Sequence, residues 1–186
     1  MTVLLEIETS RFNVDLHLAY ATPDNFTGKP IYARAAAYLN PASCERLARA
    51  AALAAALGVR IRIFDAFRPT EAQWVMWNHT PDAEFLADPR RGSPHSRGAA
   101  IDLTLIDCAG RPLDMGTPFD AFTALSHHGS TLVPLEAQRN RLLLLGLMTA
   151  AGWDFYRNEW WHYQLFDAGR YPLLSDRALT PGLMTR

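Results

Sequence analysis

Apolar and polar residues alternate along this chain with two periods, and the switches between them outline its secondary structure. Residues 40–57 form an Ala/Leu-rich run that Asn40 can cap, that Pro41 suits at its first turn and that Gly58 stops, which together predict a helix. Immediately afterwards Val59, Ile61 and Ile63 alternate with Arg60 and Arg62, the period of a half-buried strand over 59–64. Pro69 and Thr70 open a second helical run containing Trp74, Val75 and Trp77, and the stretch 81–94, rich in Pro, Asp, Arg and Gly, reads as a long loop. Over 99–106, Ile101, Leu103 and Leu105 alternate with Asp102 and Thr104, a strand with an acid on the face opposite its aliphatics. A third helix is predicted over 134–151, with Pro134 and Glu136 in its first turn and Gly152 beyond its end. A last strand, rich in Trp, Tyr and Phe, is predicted over 159–166. Connections such as 107–118 are too short and polar to be crossover helices, so the expected class is α+β, with helices packed on a mostly antiparallel sheet.

Composition narrows the function classes. A chain of 186 residues with no repeat or Gly/Ser linker is expected to form a single domain over 1–186. Lys and Arg number 18 against 19 Asp and Glu, a net charge of -1, which supplies no field for nucleic acid or an anionic membrane. The longest apolar runs, 50–57 and 142–148, fall short of the roughly 18 residues of a membrane-spanning helix. Two cysteines, Cys44 and Cys108, lack C-x-x-C spacing, and Met1 to Ser10 carries Glu6 and Glu8 with no basic region ahead of an apolar core. No secretory signal is therefore expected, and both cysteines are expected to be free thiols in the cytoplasm.

Two stretches carry candidate chemistry. In Ser93-Pro94-His95-Ser96-Arg97-Gly98-Ala99-Ala100-Ile101-Asp102 a His in a Gly-containing turn precedes an Asp on a strand. In Glu159-Trp160-Trp161-His162 a carboxylate and a His stand three apart among aromatics. Imidazole and carboxylate both ligate zinc, and a catalytic zinc site takes three protein ligands, an open fourth position and a nearby acid to accept a proton from water. His95, Asp102 and His162 with Glu159 to spare match that inventory. Singly, each has a plainer reading, a hydrogen-bonded structural His or a capping Asp. Residues three apart on a regular strand face opposite sides, so Glu159 reaches His162's side only if it precedes the strand or a bulge re-aims it. His17, His79, His127 and His128 fall outside any ligand spacing; the pair 127–128 is read as surface or as support for the site.

Ser93-x-His95-x-x-Gly98-x-Ala100-x-Asp102 followed by Glu159-x-Trp161-His162 resembles the paired signature of the zinc D-alanyl-D-alanine dipeptidases, the vancomycin-resistance type and its chromosomal relatives. Further blocks stand in the family's order: Tyr20-Ala21, Asp24 to Pro30, Asp65-Ala66-Phe67-Arg68-Pro69, Met115-Gly116, Phe119-Asp120 and Tyr163. The resemblance spans residues 12 to 174 and implies the zinc D-Ala-D-Ala peptidase or Hedgehog-like fold, with one Zn2+ per chain bound by His95, Asp102 and His162. It further implies Glu159 as catalytic base and Arg68 as the group stabilising the transition state. Asp120 would meet the ammonium of a small dipeptide, and Ser93 and Tyr20 would line its carboxylate side. Arg68 otherwise reads as a surface ion pair, Asp120 as the cap of a helix near Ala121, and Tyr20 as core.

Pro94, just before His95, departs from the small polar residue common in the family; it removes a backbone donor and restricts Ser93, which puts the exact substrate preference in question. Two other readings stay open, a D,D-carboxypeptidase acting on cell-wall peptides and a non-catalytic zinc-binding interaction module. The missing export signal weighs against the first, and the joint presence of Glu159 and Arg68 against the second. No surface stripe marks an interface, and a homodimer is left open.

Overall fold

The computed structural model describes residues 4–184. In chain order its elements are β1 (Leu5–Glu6), α1 (Thr9–Phe12), β2 (Val14–Leu16), β3 (Tyr38–Leu39), α2 (Pro41–Ala56), β4 (Arg60–Asp65), α3 (Thr70–His79), β5 (Ala100–Ile106), α4 (Leu135–Ala150), β6 (Asp154–Phe155) and β7 (His162–Gln164). The fold is α+β. Five strands form one sheet in the order β2-β4-β5-β7-β6, in which only the β2–β4 pair is parallel, while β1 and β3 pair separately.

The two long helices arise where their punctuation places them. The Asn40 side chain accepts the Ser43 amide at 2.9 Å, satisfying one of the donors a helix start leaves free. Gly58 turns the chain away with φ 72°, a conformation without penalty only for glycine. On α2 the buried apolar positions are Cys44, Leu47, Ala50, Ala51 and Ala54, one stripe at helical spacing. That stripe and the buried Leu144, Leu147 and Met148 of α4 pack with Ile61, Ile63, Ile101, Leu103 and Leu105 of the sheet in one core. These five sheet residues share one face because side chains alternate along a strand. The opposite face therefore carries Asp102 and Thr104, which are also buried.

The predicted strands over 59–64 and 99–106 shift to 60–65 and 100–106, and the helices agree within a residue or two at each end. The last strand is shorter than its aromatic pattern suggested: only His162–Gln164 pairs with β5, and residues 159–161 form a turn before it. The two- and three-residue strands β1, β2, β3 and β6 carry too few positions for periodicity to register, and pairing alone defines them. No helix starts near Ala121; a single 3-10 turn over Ala124–Ser126 lies there.

Gly98 links the helical and strand layers. It has φ 61°, and its carbonyl accepts the Asn40 amide at 2.9 Å. A Cβ there would stand 3.0 Å from the Asn40 backbone nitrogen and 2.6 Å from the Leu4 side chain. Gly98→Ala is expected to cost about 2 kcal/mol, a fall in Tm of roughly 4–8 °C for a chain of this size. Gly146→Ala, in α4 with nothing within 4 Å, should instead be neutral or raise stability by up to about 1 kcal/mol. Thermal unfolding of the two variants checks the contrast, and equal Tm values would refute it.

Candidate active site

Three strands bring carboxylates and imidazole into one row. Register pairs Asp102 of β5 directly with His162 of β7. On the other side, a shift between Ile63 and Asp65 sets Asp65 opposite Asp102. Without that bulge, strict alternation would send Asp65 to the other face of the sheet from Asp102. His95 comes from the single 3-10 turn over His95–Arg97 that precedes β5. Pro94 occupies αR at the start of this turn, φ −57° and ψ −33°, a position suited to a residue with no amide hydrogen. The Ser93 hydroxyl accepts the His95 amide at 3.2 Å.

The ligating atoms of His95, Asp102 and His162 all lie within 4.8 Å of one another, and all three residues are buried. His95 Nδ1 donates to the Ala66 carbonyl at 2.7 Å, and His162 Nε2 donates to Gln164 Oε1 at 3.2 Å. Those bonds fix the tautomers of the neutral rings. The lone pairs on His95 Nε2 and His162 Nδ1 then face each other at 3.1 Å, 3.3 and 3.0 Å from the Asp102 oxygens. Three electron-pair donors converge with no hydrogen between them, an arrangement that repels itself unless a cation sits among them. Burial alone would raise the Asp102 carboxyl, but a charged His95 and a hydrogen bond donated by His162, the arrangement when protons stand in for the cation, outweigh it and hold the group well below the usual carboxylate range. Two N donors and one O donor suit zinc.

Glu159 reaches the cluster through the turn that shortens β7. Its amide bonds the Tyr156 carbonyl, and its own carbonyl accepts the His162 amide. The carboxylate stands 3.8 Å from His162 Nδ1. Glu159 is buried, and desolvation together with the charges of Asp102 and Asp120 pushes its carboxyl well above the usual range, against the pull of Arg68.

Arg68, three residues beyond the end of β4, is buried and not at the surface. Its Nε donates to Asp65 at 2.9 Å, one Nη to Gln73 at 3.1 Å and the other to Asp102 at 3.4 Å, and it lies over the Tyr20 ring at 5.1 Å. Desolvation opposes its charge, but Tyr20, Asp65 and Asp102 more than compensate. Asp65 accepts the Tyr32 hydroxyl at 3.0 Å through its second oxygen.

Asp120 stands across the cavity with φ 59°, a left-handed conformation uncommon for Asp. One carboxylate oxygen accepts the Tyr20 hydroxyl at 3.1 Å, and the other is buried with no partner. Arg141, a charge within the apolar stripe of α4, holds the surrounding loop: it donates to the carbonyls of Met115, Leu125 and His127 and to the Thr117 hydroxyl. One cavity of about 210 Å³ is lined by all eight residues singled out in the sequence: Tyr20, Arg68, Ser93, His95, Asp102, Asp120, Glu159 and His162. Asp65, Gln73 and Arg141 are support that sequence reading missed. A cation spaced with Ala137, Leu144 and Met148 as a core residue was the visible signal for Arg141.

Burial, then the Asp102 charge, raise the Asp120 carboxyl to about 8. An unfolded Asp ionises near pH 4. Between those values the native chain keeps a proton that the unfolded chain has lost, so stability falls as pH rises. Asp120→Asn in metal-free protein is expected to be more stable than the parent by on the order of a few kcal/mol at pH 8, the gap closing near pH 4. Urea unfolding at pH 4, 6 and 8 measures it; a gap that does not widen with pH contradicts a protonated Asp120.

Comparison with known proteins agrees with this arrangement. The peptidase M15 family, described as D-ala-D-ala dipeptidase, matches residues 3–180. The chain is 43% identical over 176 residues to a D-alanyl-D-alanine dipeptidase of Escherichia coli, covering 95% of this chain and 91% of that protein. Proteins of the same name from Streptomyces coelicolor and Enterococcus faecalis are 35% and 34% identical over 167 and 169 residues, covering 78% and 80% of this chain and 83% and 84% of theirs. With a buried His/Asp/His cluster at the centre of its cavity and a family match along nearly its whole length, the chain belongs to the peptidase M15 family of metallopeptidases, the D-Ala-D-Ala dipeptidases.

Proposed function

We propose that this chain hydrolyses D-alanyl-D-alanine to two molecules of D-alanine, using one zinc ion held by His95, Asp102 and His162. The observation that carries the reading is the convergence of three ligand atoms beside a buried acid and a buried guanidinium in one small cavity. The shared name of the relatives supplies the substrate and its stereochemistry. Zinc bound there supplies Lewis acidity, which lowers the pKa of water toward about 7 and polarises a carbonyl.

The chain's own groups do the rest. Glu159, whose carboxylate lies beside the ligand cluster, takes a proton from the attacking water and returns it to the leaving nitrogen as the C–N bond breaks. Arg68, fixed by Asp65 and Gln73, offers its charge to the oxygen that becomes negative. The unpartnered oxygen of Asp120 receives the substrate ammonium, and the Tyr20 hydroxyl orients that carboxylate. The resemblance put Tyr20 on the carboxylate side; its bond to Asp120 supports a place at the amino end. Ser93 stays on the carboxylate side. A cavity of about 210 Å³ is below the roughly 300–1,000 Å³ of ordinary ligand pockets, which supports a substrate as small as a dipeptide. Among the described residues no helix is long and apolar enough to cross a membrane. A cytoplasmic setting, with Cys44 and Cys108 as free thiols, belongs to the same proposal, as does a Hedgehog-like fold.

Metal analysis should find close to one zinc per chain and a large loss in His162→Ala. Glu159→Ala should keep its zinc and lose about 10²- to 10⁴-fold in turnover, the contribution of a positioned acid/base. Substantial hydrolysis by zinc-loaded Glu159→Ala would assign the proton transfer to another group.

Acetylating the dipeptide amine should impair hydrolysis strongly in the parent and far less in Asp120→Ala, since the two changes remove the same interaction. An acetylation penalty equal in both proteins would show that Asp120 does not read the ammonium.

A further inference from the structure

Glu159 and Asp120, the two acids given different tasks above, both stand outside regular elements. Glu159 belongs to the turn before β7, and Asp120 to the long connection between β5 and α4. No ladder of strand or helix bonds therefore fixes the distance between them.

Side chains take over that task. The Trp160 indole N–H, one residue past Glu159, donates to the Thr117 hydroxyl at 2.8 Å. Arg141 donates to the same oxygen at 3.4 Å. With both lone pairs engaged, the Thr117 hydroxyl is left to donate, and Ser126 Oγ lies 3.1 Å away. Ser126 gives its own hydrogen to the carbonyl of Ala121, one residue past Asp120, at 2.6 Å. Each hydroxyl has a single hydrogen, so the chain runs in one direction only, from Trp160 through Thr117 and Ser126 to Ala121.

Backbone bonds run alongside it. The Trp160 amide donates to the Ser126 carbonyl at 3.0 Å, and the His128 amide to the Arg157 carbonyl at 2.9 Å. Trp160, Ser126 and Arg141 are buried, where a polar group stripped of its partner costs more than the bond itself was worth. The link bears most on Asp120, whose φ of 59° persists only where the surround over-determines it.

We infer that Thr117 and Ser126 are positioning residues that set the separation of Asp120 from Glu159, and so hold the substrate ammonium at a fixed distance from the acid that moves the proton. The inference rests on the roles proposed above for those two acids. Neither Thr117 nor Ser126 lines the cavity; each acts through a neighbour that is one residue from an acid that does. Misplacing a bound group by about 1 Å can cost on the order of 10²-fold in rate, so a lost link is read in turnover and in how well the ammonium is recognised.

The test measures the acetylation penalty, kcat/KM for D-Ala-D-Ala divided by kcat/KM for its N-acetyl form, on zinc-loaded parent, Thr117→Val, Thr117→Ser, Ser126→Ala and Asp120→Ala. This ratio does not depend on the fraction of molecules that fold or hold zinc, so a purely structural defect leaves it at the parent value. Thr117→Val and Ser126→Ala should shrink it by about 10-fold and lower kcat for the free dipeptide. Thr117→Ser, which keeps the hydroxyl, should stay near the parent. A ratio unchanged in Thr117→Val and Ser126→Ala but reduced in Asp120→Ala overturns the positioning role and leaves the ammonium at Asp120. Equal loss in Thr117→Ser and Thr117→Val also overturns it, since packing and not the hydroxyl then matters. A ratio as large in Asp120→Ala as in the parent, or a parent that hydrolyses neither peptide, defeats the reading of the site itself, and the positioning role falls with it. If Thr117→Val does not fold, Ser126→Ala and Trp160→Phe, which removes the indole N–H and keeps an aromatic ring, carry the comparison with the same expected fall.

Discussion

The site depends on an imbalance of charge among largely desolvated side chains. Four carboxyl groups, those of Asp65, Asp102, Asp120 and Glu159, surround one guanidinium, Arg68, and two imidazoles that turn lone pairs inward. Desolvated carboxylates repel one another strongly, so the protein cannot keep all of them ionised by its own means. Their responses differ with their partners. Asp102, held between two imidazoles, stays ionised; Glu159 and Asp120, without such partners, are driven toward the protonated form. A metal dication and a substrate ammonium are the charges that would balance the set. The cavity is electrostatically incomplete alone, which is what the proposed function draws on.

Holding such groups together requires backbone departures from regular structure, and these coincide with residues in and beside the cavity. The bulge in β4 turns Asp65 onto the face of Asp102, where it can hold Arg68. The turn before β7 brings Glu159 beside His162 despite their separation of three residues. Asp120 sits at a left-handed φ, and its loop is maintained by a buried arginine whose bonds go to carbonyls and a hydroxyl. Each departure costs conformational energy that only a well-packed surround can sustain. Here that surround is the aliphatic core between the sheet and the helices α2 and α4.

The segment 83–87 that lines the cavity is joined to the cluster through shared bonds. Gln73 touches Arg68 with one amide atom and the Ala87 carbonyl with the other, and Tyr156 precedes the Glu159 turn while bonding the Glu84 carbonyl. One set of side chains therefore holds both this segment and the groups beneath it.

By itself the sequence determined the helices α2 and α4 and the strands β4 and β5, because caps, stops and periodicity act over a few neighbouring residues. It also pointed to eight residues that line one cavity: His95, Asp102, His162 and Glu159 stand in two short motifs, and Arg68, Asp120, Ser93 and Tyr20 in blocks whose order is itself informative. What only the tertiary structure decided is how these residues meet. Asp65 alternates with Ile61 and Ile63 in the sequence as if it belonged to their face, and only pairing with β5 shows the bulge that moves it. The aromatic run 159–166 reads as one strand, yet three of its residues bond as a strand and Glu159 is free to turn inward. Phe85 and Phe122 lie 37 residues apart in loops without periodicity and stack on one another only when those loops meet. Local pattern reports which face a residue would take in an ideal element. Bulges, turns and contacts between distant loops depend on register and packing across the whole chain, to which no short window of sequence is sensitive.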